Sequence, residues 1–113
     1  MAIHFECIDV RGRRIVCERE NWDAHVERHQ EIAGQETQVV ATIEAPMAIY
    51  QDARHADRHV YYRMNVLPGV YGQSYLRVII AFRRTLRGLR GYFVSAHAAA
   101  GPKKGETIIW PTS

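Results

Sequence analysis

The chain has 113 residues, of which 47% are hydrophobic, which suits one domain with a packed core and excludes a disordered chain. No apolar run reaches the ~18 residues of a membrane-spanning helix, and the amino-terminal residues lack the apolar stretch of a signal peptide. We therefore expect a cytoplasmic, single-domain protein over residues 1–113, with a net charge of +3 and no membrane partner.

Two strands open the chain, because "HFECIDV" and "RRIVCER" flank an Arg-Gly turn and predict a hairpin. Asn21 is a good N-cap, so we expect a helix from Trp22 to about Ile32. Apolar residues at helical spacing predict a second helix in "ETQVVATIEAP", and Pro46 ends it.

Five further strands are predicted after Pro46, because β-branched and aromatic residues cluster between turn sequences. These strands are "MAIYQD", "RHVYYRMNV", "SYLRVIIAF", "RGYFVSAHA" and the short "ETIIWP". The segments "LPGVYGQ" and "RRTLRGLRG" supply turns between them. The order ββ-αα-βββββ predicts an α+β domain, in which an amino-terminal hairpin and two helices pack on a twisted antiparallel sheet.

The two cysteines, Cys7 and Cys17, lie on either side of the predicted hairpin turn. That position allows them to face each other across the hairpin, where an intracellular pair is usually reduced and packs as small apolar side chains. Their spacing does not match a zinc knuckle.

The charge is distributed unevenly along the chain. Residues 1–57 hold 11 acidic and 6 basic residues, whereas residues 58–113 hold 9 basic residues and one acid, Glu106. A basic half without acids is typical of a protein that binds a polyanion, most often nucleic acid. The alternative is a solvated basic face with no ligand.

The segment "NWDAHVERHQEI" places His25 and His29 on one face of the predicted helix. A zinc protease needs a glutamate directly after the first histidine, and Val26 occupies that position. The inverted motif fails as well, because Arg28 stands where its glutamate should be. The second pair, His55 and His59, spans a turn entering a strand, so its spacing need not bring the two rings together. We expect no metal and no cofactor, and a zinc site of another design is the weaker alternative.

An acid–base function needs less than a metal site. One imidazole can take a proton and another can donate one, so two histidines and nearby cations suffice for RNA cleavage through the 2′-OH. The alternative for His25 is a structural role beside Trp22, and the residues alone do not decide between the two.

Alternation along the strands assigns faces to the polar residues of the basic half. Tyr61 and Arg63 share one face and Tyr62 lies on the other, while Arg77 lies on the face of Tyr75 and Ile79. An arginine within an apolar strand needs an anion, either a ligand or a helix acid such as Glu27 or Glu31.

Two further segments of the basic half carry polar residues that suit an anion site. Ser95 and His97 share one face of the strand in "VSAHA". Lys103 and Lys104 lie in "GPKKGE", a basic turn that is either a phosphate site or a solvated hairpin tip.

Together, "WDAHVERHQEI", "YYRM", "YLRVII", "YFVSAHAA" and "KKGETIIW" resemble a phage-type member of the barnase–EndoU–colicin–RelE nuclease group over about residues 22–110. The resemblance implies a RelE- or barnase-like fold and a metal-independent endoribonuclease that acts as a toxin or toxin-like effector. By position it implies a catalytic set of helix histidines, a strand arginine, a strand hydroxyl and a lysine: His25, His29, Arg63, Ser95 and Lys104. Further residues expected to contact the substrate are Arg28, Tyr62, Arg77, His97 and Lys103. Gln30 and His97 depart from the pattern of the group, which commonly has Pro and Tyr there.

The ribonuclease hypothesis predicts that the five catalytic candidates converge in one cleft. A second hypothesis is a non-catalytic module of a phage or toxin system that holds nucleic acid, or an inhibitor or antitoxin protein, on the basic face. The acidic and basic halves of two copies would also fit each other in a homodimer.

Overall fold

The structure is a computed structural model, and it describes residues 2–112. The order of its strands and helices matches the order that the sequence predicts. Within these residues the elements are β1 (Ile3–Ile8), β2 (Arg14–Glu18), α1 (Arg19–Arg28), α2 (Glu36–Glu44), β3 (Ala48–Gln51), β4 (Arg58–Met64), β5 (Tyr75–Thr85), β6 (Gly88–Ala99) and β7 (Thr107–Trp110). Short 3-10 turns span Gln30–Ile32 and Gly69–Tyr71. The α+β class is confirmed.

The strands form one seven-stranded sheet across the described residues, in the order β1-β2-β6-β5-β4-β3-β7. All neighbouring pairs are antiparallel except β2 and β6, which run parallel. The sheet is therefore mostly antiparallel rather than wholly so. The parallel pair arises because both helices and three strands intervene between β2 and β6, and a parallel return needs such a long connection.

The boundaries predicted for the first helix are wrong at both ends. Helix α1 begins at Arg19, with Glu18 as its N-cap residue, so Asn21 lies inside the helix rather than capping it. It ends at Arg28, because the backbone of His29 leaves the helical region with φ −133° and ψ 77°. The chain then continues in the 3-10 turn, which places His29 at a corner between two elements.

Both helices pack on one face of the sheet and enclose the core there. Trp22 of α1 and Val39 and Ile43 of α2 are buried against strand residues such as Val78 and Ile80. Because strand residues alternate between faces, the even-numbered residues of β5 from Leu76 to Phe82 supply this core. We call it the helix face and the opposite side the open face. None of the helices in residues 2–112 is long and apolar enough to cross a membrane.

The hairpin cysteines do not face each other. Cys7 pairs with Ile15 and Cys17 with Phe5, so the two are offset along the ladder. Both are buried free thiols, and burial raises the pKa of each to about 12. They act as small core residues.

Strands β5 and β6 extend further than the sequence predicts. The segment "RRTLRGLRG" was expected to be a turn, but Arg83–Thr85 belongs to β5 and Gly88–Gly91 to β6. Leu86 and Arg87 alone connect the strands. The ladder continues here because the two strands pair with each other up to Thr85 and Gly88, whereas β4 stops opposite Ala81.

A β-bulge in β6 decides which face its later residues occupy. Ile80 pairs with Phe93 and Ile79 pairs with Ser95, so Val94 is the extra residue. A shift of one residue moves every following side chain to the other face. The bulge therefore places Ser95 and His97 on the open face, together with the side chains of Arg90 and Tyr92 that precede it.

Gly91 marks the closest approach of β6 to the core, and we expect Gly91→Ala to destabilise the fold by about 1–3 kcal/mol through overpacking. A Cβ atom there would lie 2.4 Å from Cδ1 of Ile15 and 2.7 Å from Cγ2 of Ile80. Urea unfolding would measure the change. Adding Ile15→Val, which removes the clashing Cδ1 methyl, should recover part of the loss, and a purely additive double mutant would contradict this packing.

Candidate functional site

The edge of β6 beyond Tyr92 has no neighbouring strand in the described sheet, because β2 pairs with β6 only from Arg90 to Tyr92. Side chains from the helical layer bind this edge instead. The Ala96 N–H donates to Nε2 of His25 at 2.9 Å, and the Ala98 N–H donates to a carboxylate oxygen of Glu31 at 3.3 Å. Buried backbone donors require such partners, so His25 and Glu31 complete the sheet at this point.

His25 is a buried residue rather than an accessible one. Only 2% of it is exposed, and its Nε2 also contacts the Ala96 carbonyl oxygen. Its ring packs against Phe93, with a centroid distance of 5.6 Å. Burial lowers the pKa of His25, which favours a neutral ring that accepts the Ala96 amide proton. His25 therefore has the structural role that the sequence allowed as an alternative, and its ring is too buried for a ligand to reach.

Three imidazole rings form a row that we call the histidine row: His25, His29 and His97. The centroids of His25 and His29 are 4.6 Å apart, and those of His29 and His97 are 5.5 Å apart, with nearly parallel planes in both pairs. His29 is half-exposed, and its Nδ1 lies 3.8 Å from the carboxylate of Glu31, which pairs with it when the ring is protonated. The row leads from the buried sheet edge to the surface.

His97 differs from His29 in its electrostatic surroundings. Burial lowers its pKa to about 4, and the positive charges of Arg77 and Lys103 act in the same direction. The ring is therefore neutral at pH 7 and has a lone pair that can accept a proton. Arg77 lies directly opposite His97 in the β5–β6 ladder, so both side chains are on the open face.

The positive charge of Arg77 is balanced by Glu106, the one acid in residues 58–113. Its Nη2 lies 2.5 Å from Glu106, and its Nε donates to the Tyr62 hydroxyl at 2.9 Å. The same hydroxyl donates to Glu106 at 2.5 Å. Burial alone would raise the pKa of Glu106, but the bonds from Tyr62 and Arg77 outweigh it and hold that pKa low. The alternative of an ion pair with Glu27 or Glu31 is wrong in its partner, because Glu106 supplies the carboxylate.

A polar cleft of about 380 Å³ adjoins this network on the open face. Its cationic residues outnumber its carboxylates, and one carboxylate, Asp52, is already bound by the backbone N–H groups of Arg54 and His55 at 2.9 and 2.8 Å. The side-chain Nε of Arg58 is buried without a hydrogen-bond partner among the described residues. Charged residues lining the cleft are Asp52, Arg54, Arg58, Arg77, Lys103, Lys104 and Glu106. Lys103 also lines a neighbouring groove with His97, which joins the cleft to the histidine row.

The expected convergence of five catalytic candidates in one cleft is wrong. Arg63 lies on the helix face, where its Nη1 donates to the Ala45 carbonyl oxygen at 2.7 Å and caps the end of α2. Lys104 lines the polar cleft rather than the histidine row. Ser95 shares the open face with His97, two residues away on β6. Arg28 is exposed at the last turn of α1, and Tyr62 is 1% exposed.

A second polar network lies on the helix face, and the sequence indicated only a turn there. Asp9 is 4% exposed and accepts bonds from the backbone N–H groups of Arg11 and Arg13 at 2.9 and 2.8 Å. The Tyr61 hydroxyl donates to Asp9 at 2.5 Å, and Arg11 lies 3.0 Å from Nδ1 of His59. These bonds anchor the β1–β2 turn to β4. The spacing D-x-R-x-R is the sequence signal, because Asp readily bonds the backbone two residues on.

Among residues 2–112, no group of three or more His, Cys, Asp or Glu side chains is arranged to hold a metal ion. Comparisons of the chain with protein-family models, with curated proteins and with solved structures find no match.

We expect the free energy of unfolding to decrease as the pH falls from 7 to 5. The pKa of His97 is about 4, and burial with the charges of Arg11 and Arg13 lowers that of His59 to about 4 as well, against an ordinary value of 6.5. At pH values between the folded-state pKa and the ordinary pKa, the unfolded chain binds more protons than the folded protein does. Each of the two histidines therefore lowers the free energy of unfolding by up to ~1.4 kcal/mol for each pH unit. Urea unfolding at several pH values would measure it.

The matched comparison uses His97→Gln and His55→Gln. The first removes one titrating group and should flatten the decrease, whereas the exposed His55 should leave it intact. Equal slopes in the two variants would contradict the role of His97.

The edge function of His25 predicts a difference between two substitutions. His25→Leu leaves the Ala96 N–H without its acceptor and should lower the free energy of unfolding by about 2–4 kcal/mol. His25→Gln can present an amide oxygen to that N–H and should lose less. Hydrogen exchange at the Ala96 amide would separate them, since it should quicken most in the Leu variant.

Proposed function

We propose that this protein is an endoribonuclease that uses two imidazoles as acid and base and cleaves RNA through its own 2′-OH. The observation that carries the proposal is the pairing of His29 and His97 at the surface end of the histidine row. One ring is neutral and flanked by cations, and the other pairs with a carboxylate when protonated. Two imidazoles close to each other, with cations on one side and a carboxylate on the other, suit an acid–base pair.

In this mechanism His97 accepts the proton of the 2′-OH while that oxygen attacks the adjacent phosphorus. The bond to the 5′-oxygen breaks, and protonated His29 donates a proton to this leaving group. The products are a 2′,3′-cyclic phosphate and a free 5′-hydroxyl. Lys103 lines a groove with His97 and can stabilise the negative charge that develops on the phosphoryl oxygens, and Lys104 lies in the adjoining polar cleft.

The low pKa of His97 belongs to the protein without substrate. Burial depresses it first, and the charges of Arg77 and Lys103 add to the effect. A bound phosphate offsets those charges and so moves the pKa of His97 towards neutrality, where a general base is most effective. The cations therefore both bind the phosphate and make the base responsive to it.

The remaining candidates support the pair in different ways. His25 is a positioning residue, because it holds the neighbouring ring of His29 against the β6 edge. Arg28 and Lys104 are exposed cations suited to phosphate contacts. Arg63 has no part in the reaction, because it lies on the other side of the sheet.

The resemblance to the barnase–EndoU–colicin–RelE group adds the biological setting to the proposal. It favours a toxin-like effector that acts in the cytoplasm, where RNA is the substrate and an inhibitor or antitoxin protein covers the basic face. The two buried free thiols suit the reducing conditions of that compartment.

RNA cleavage measured in EDTA tests the mechanism. His97→Gln and His29→Gln should each lower the rate by about 10²–10⁴-fold, the usual contribution of general acid or base catalysis. Arg63→Gln and His4→Gln are matched controls that remove a cation and a histidine outside the site, and they should cleave at the wild-type rate. Equal rates in all four variants would exclude the proposed pair.

A second candidate function is a non-catalytic binding module, and one observation favours it. His25 and Arg77 are both engaged in internal contacts, so part of the histidine and arginine content is structural. RNA binding that weakens steeply with salt, without cleavage and without sensitivity to His97→Gln, would favour this alternative.

A further inference from the structure

Three arginines form a row across neighbouring strands on the open face, and we call them the arginine row. Arg14 of β2 pairs with Arg90 of β6, and Arg90 pairs with Arg83 of β5. Directly opposed residues project from the same face of a sheet, so the three guanidinium groups lie side by side. Tyr92 holds two of them, because the guanidinium carbons of Arg83 and Arg90 lie 5.5 and 5.7 Å from its ring centroid.

The row carries more positive charge than the protein neutralises. Glu6 binds Arg14 at 2.8 Å and lies 4.0 Å from Arg90, and Glu18 lines the groove beside Arg83 and Arg90 without an ion pair among the described residues. Arg83 makes no ion pair within the described residues, and Nε of Arg90 is buried without a hydrogen-bond partner there. Like charges directly opposite each other destabilise a sheet, which indicates a binding role for the row rather than a structural one.

A groove of about 360 Å³ borders two arginines of the row. Its lining residues are Arg83, Arg90 and Tyr92, together with Glu18, Asn21, Ile3 and Val16. Arginine suits phosphate because its planar fork can donate two parallel hydrogen bonds.

The arginine row and His97 lie on the same face because of the bulge at Val94. Arg90 and His97 are seven residues apart on one strand, or about 20 Å at ~3.3 Å per residue with one residue absorbed by the bulge. A single nucleotide cannot span that length, whereas an extended oligonucleotide can.

We infer that the arginine row is a second phosphate-binding site, which holds the backbone of a single-stranded RNA several nucleotides away from the histidines. This inference rests on the proposed function and deepens it, since it identifies the substrate as an oligonucleotide rather than a mono- or dinucleotide. Tyr92 is a positioning residue that orients Arg83 and Arg90. An acidic protein is the competing partner for such a row, and the position of the arginines on the same face as His97 favours a phosphate chain.

The test measures binding of a single-stranded oligodeoxynucleotide of about ten nucleotides at several salt concentrations. This probe lacks the 2′-OH, so it cannot be cleaved by the proposed route and reports binding alone. Arg83→Ser should weaken binding several-fold and lower the slope of log affinity against log salt by about one. Arg84→Ser is the matched control, because Arg84 is the next residue on β5, equally exposed, and points to the helix face.

Equal losses in Arg83→Ser and Arg84→Ser would overturn the inference, since they would show a general charge effect. Binding that is unaffected by Arg83→Ser and Arg90→Ser would overturn it too. Cleavage of a dinucleotide shows whether a failure concerns the arginine row or the proposed ribonuclease function itself. Arg83→Ser should leave dinucleotide cleavage at the wild-type rate while slowing cleavage of a long RNA, and His97→Gln should abolish both.

Discussion

The hydrogen bond from the Ala96 amide to His25 is the interaction on which the candidate site depends. Strand β2 leaves the edge of β6 after Tyr92, and a buried strand edge without acceptors would be unstable. His25 and Glu31 meet that requirement from the helical layer. The same contact joins α1 to the sheet, and His29 at the end of that helix stacks on the ring of His97. His25 thus both satisfies the strand edge and supports the ring of His29.

The open face carries the excess positive charge because the protein neutralises little of it. Glu106, the single acid of residues 58–113, is committed to Arg77 and Tyr62. The lysines at positions 103 and 104 therefore remain directed at solvent beside the histidines, and the arginine row remains charged at the other end of β6. On the helix face, Asp9 and Tyr61 engage Arg11, while Arg84 is exposed there.

Several features of the site could be predicted from neighbouring residues. Alternation correctly separated Tyr62 from Tyr61 and Arg63 and placed Ser95 with His97, because the period of a strand is a local property. Other features could not. The extent of β5 and β6 through an arginine-rich segment depends on pairing between strands, and the stacking of His29 on His97 depends on the packing of a helix end against a distant strand. Within each strand, alternation told which neighbours share a face with Arg63 or with His97. It did not show that these two residues lie on opposite sides of the sheet, because that depends on how the strands pair.

By itself the sequence determined the element order, the α+β class and the segregation of charge, because these follow from short-range periodicity and composition. The tertiary structure decided the parallel pairing of β2 with β6, the bulge at Val94 and the partner of each buried polar group. Those outcomes join residues distant in the chain: His25 bonds Ala96 across 71 positions and Arg77 bonds Glu106 across 29. Such contacts form only when the sheet and the helices have packed together. Each buried polar group then bonds the partner that this packing brings close to it.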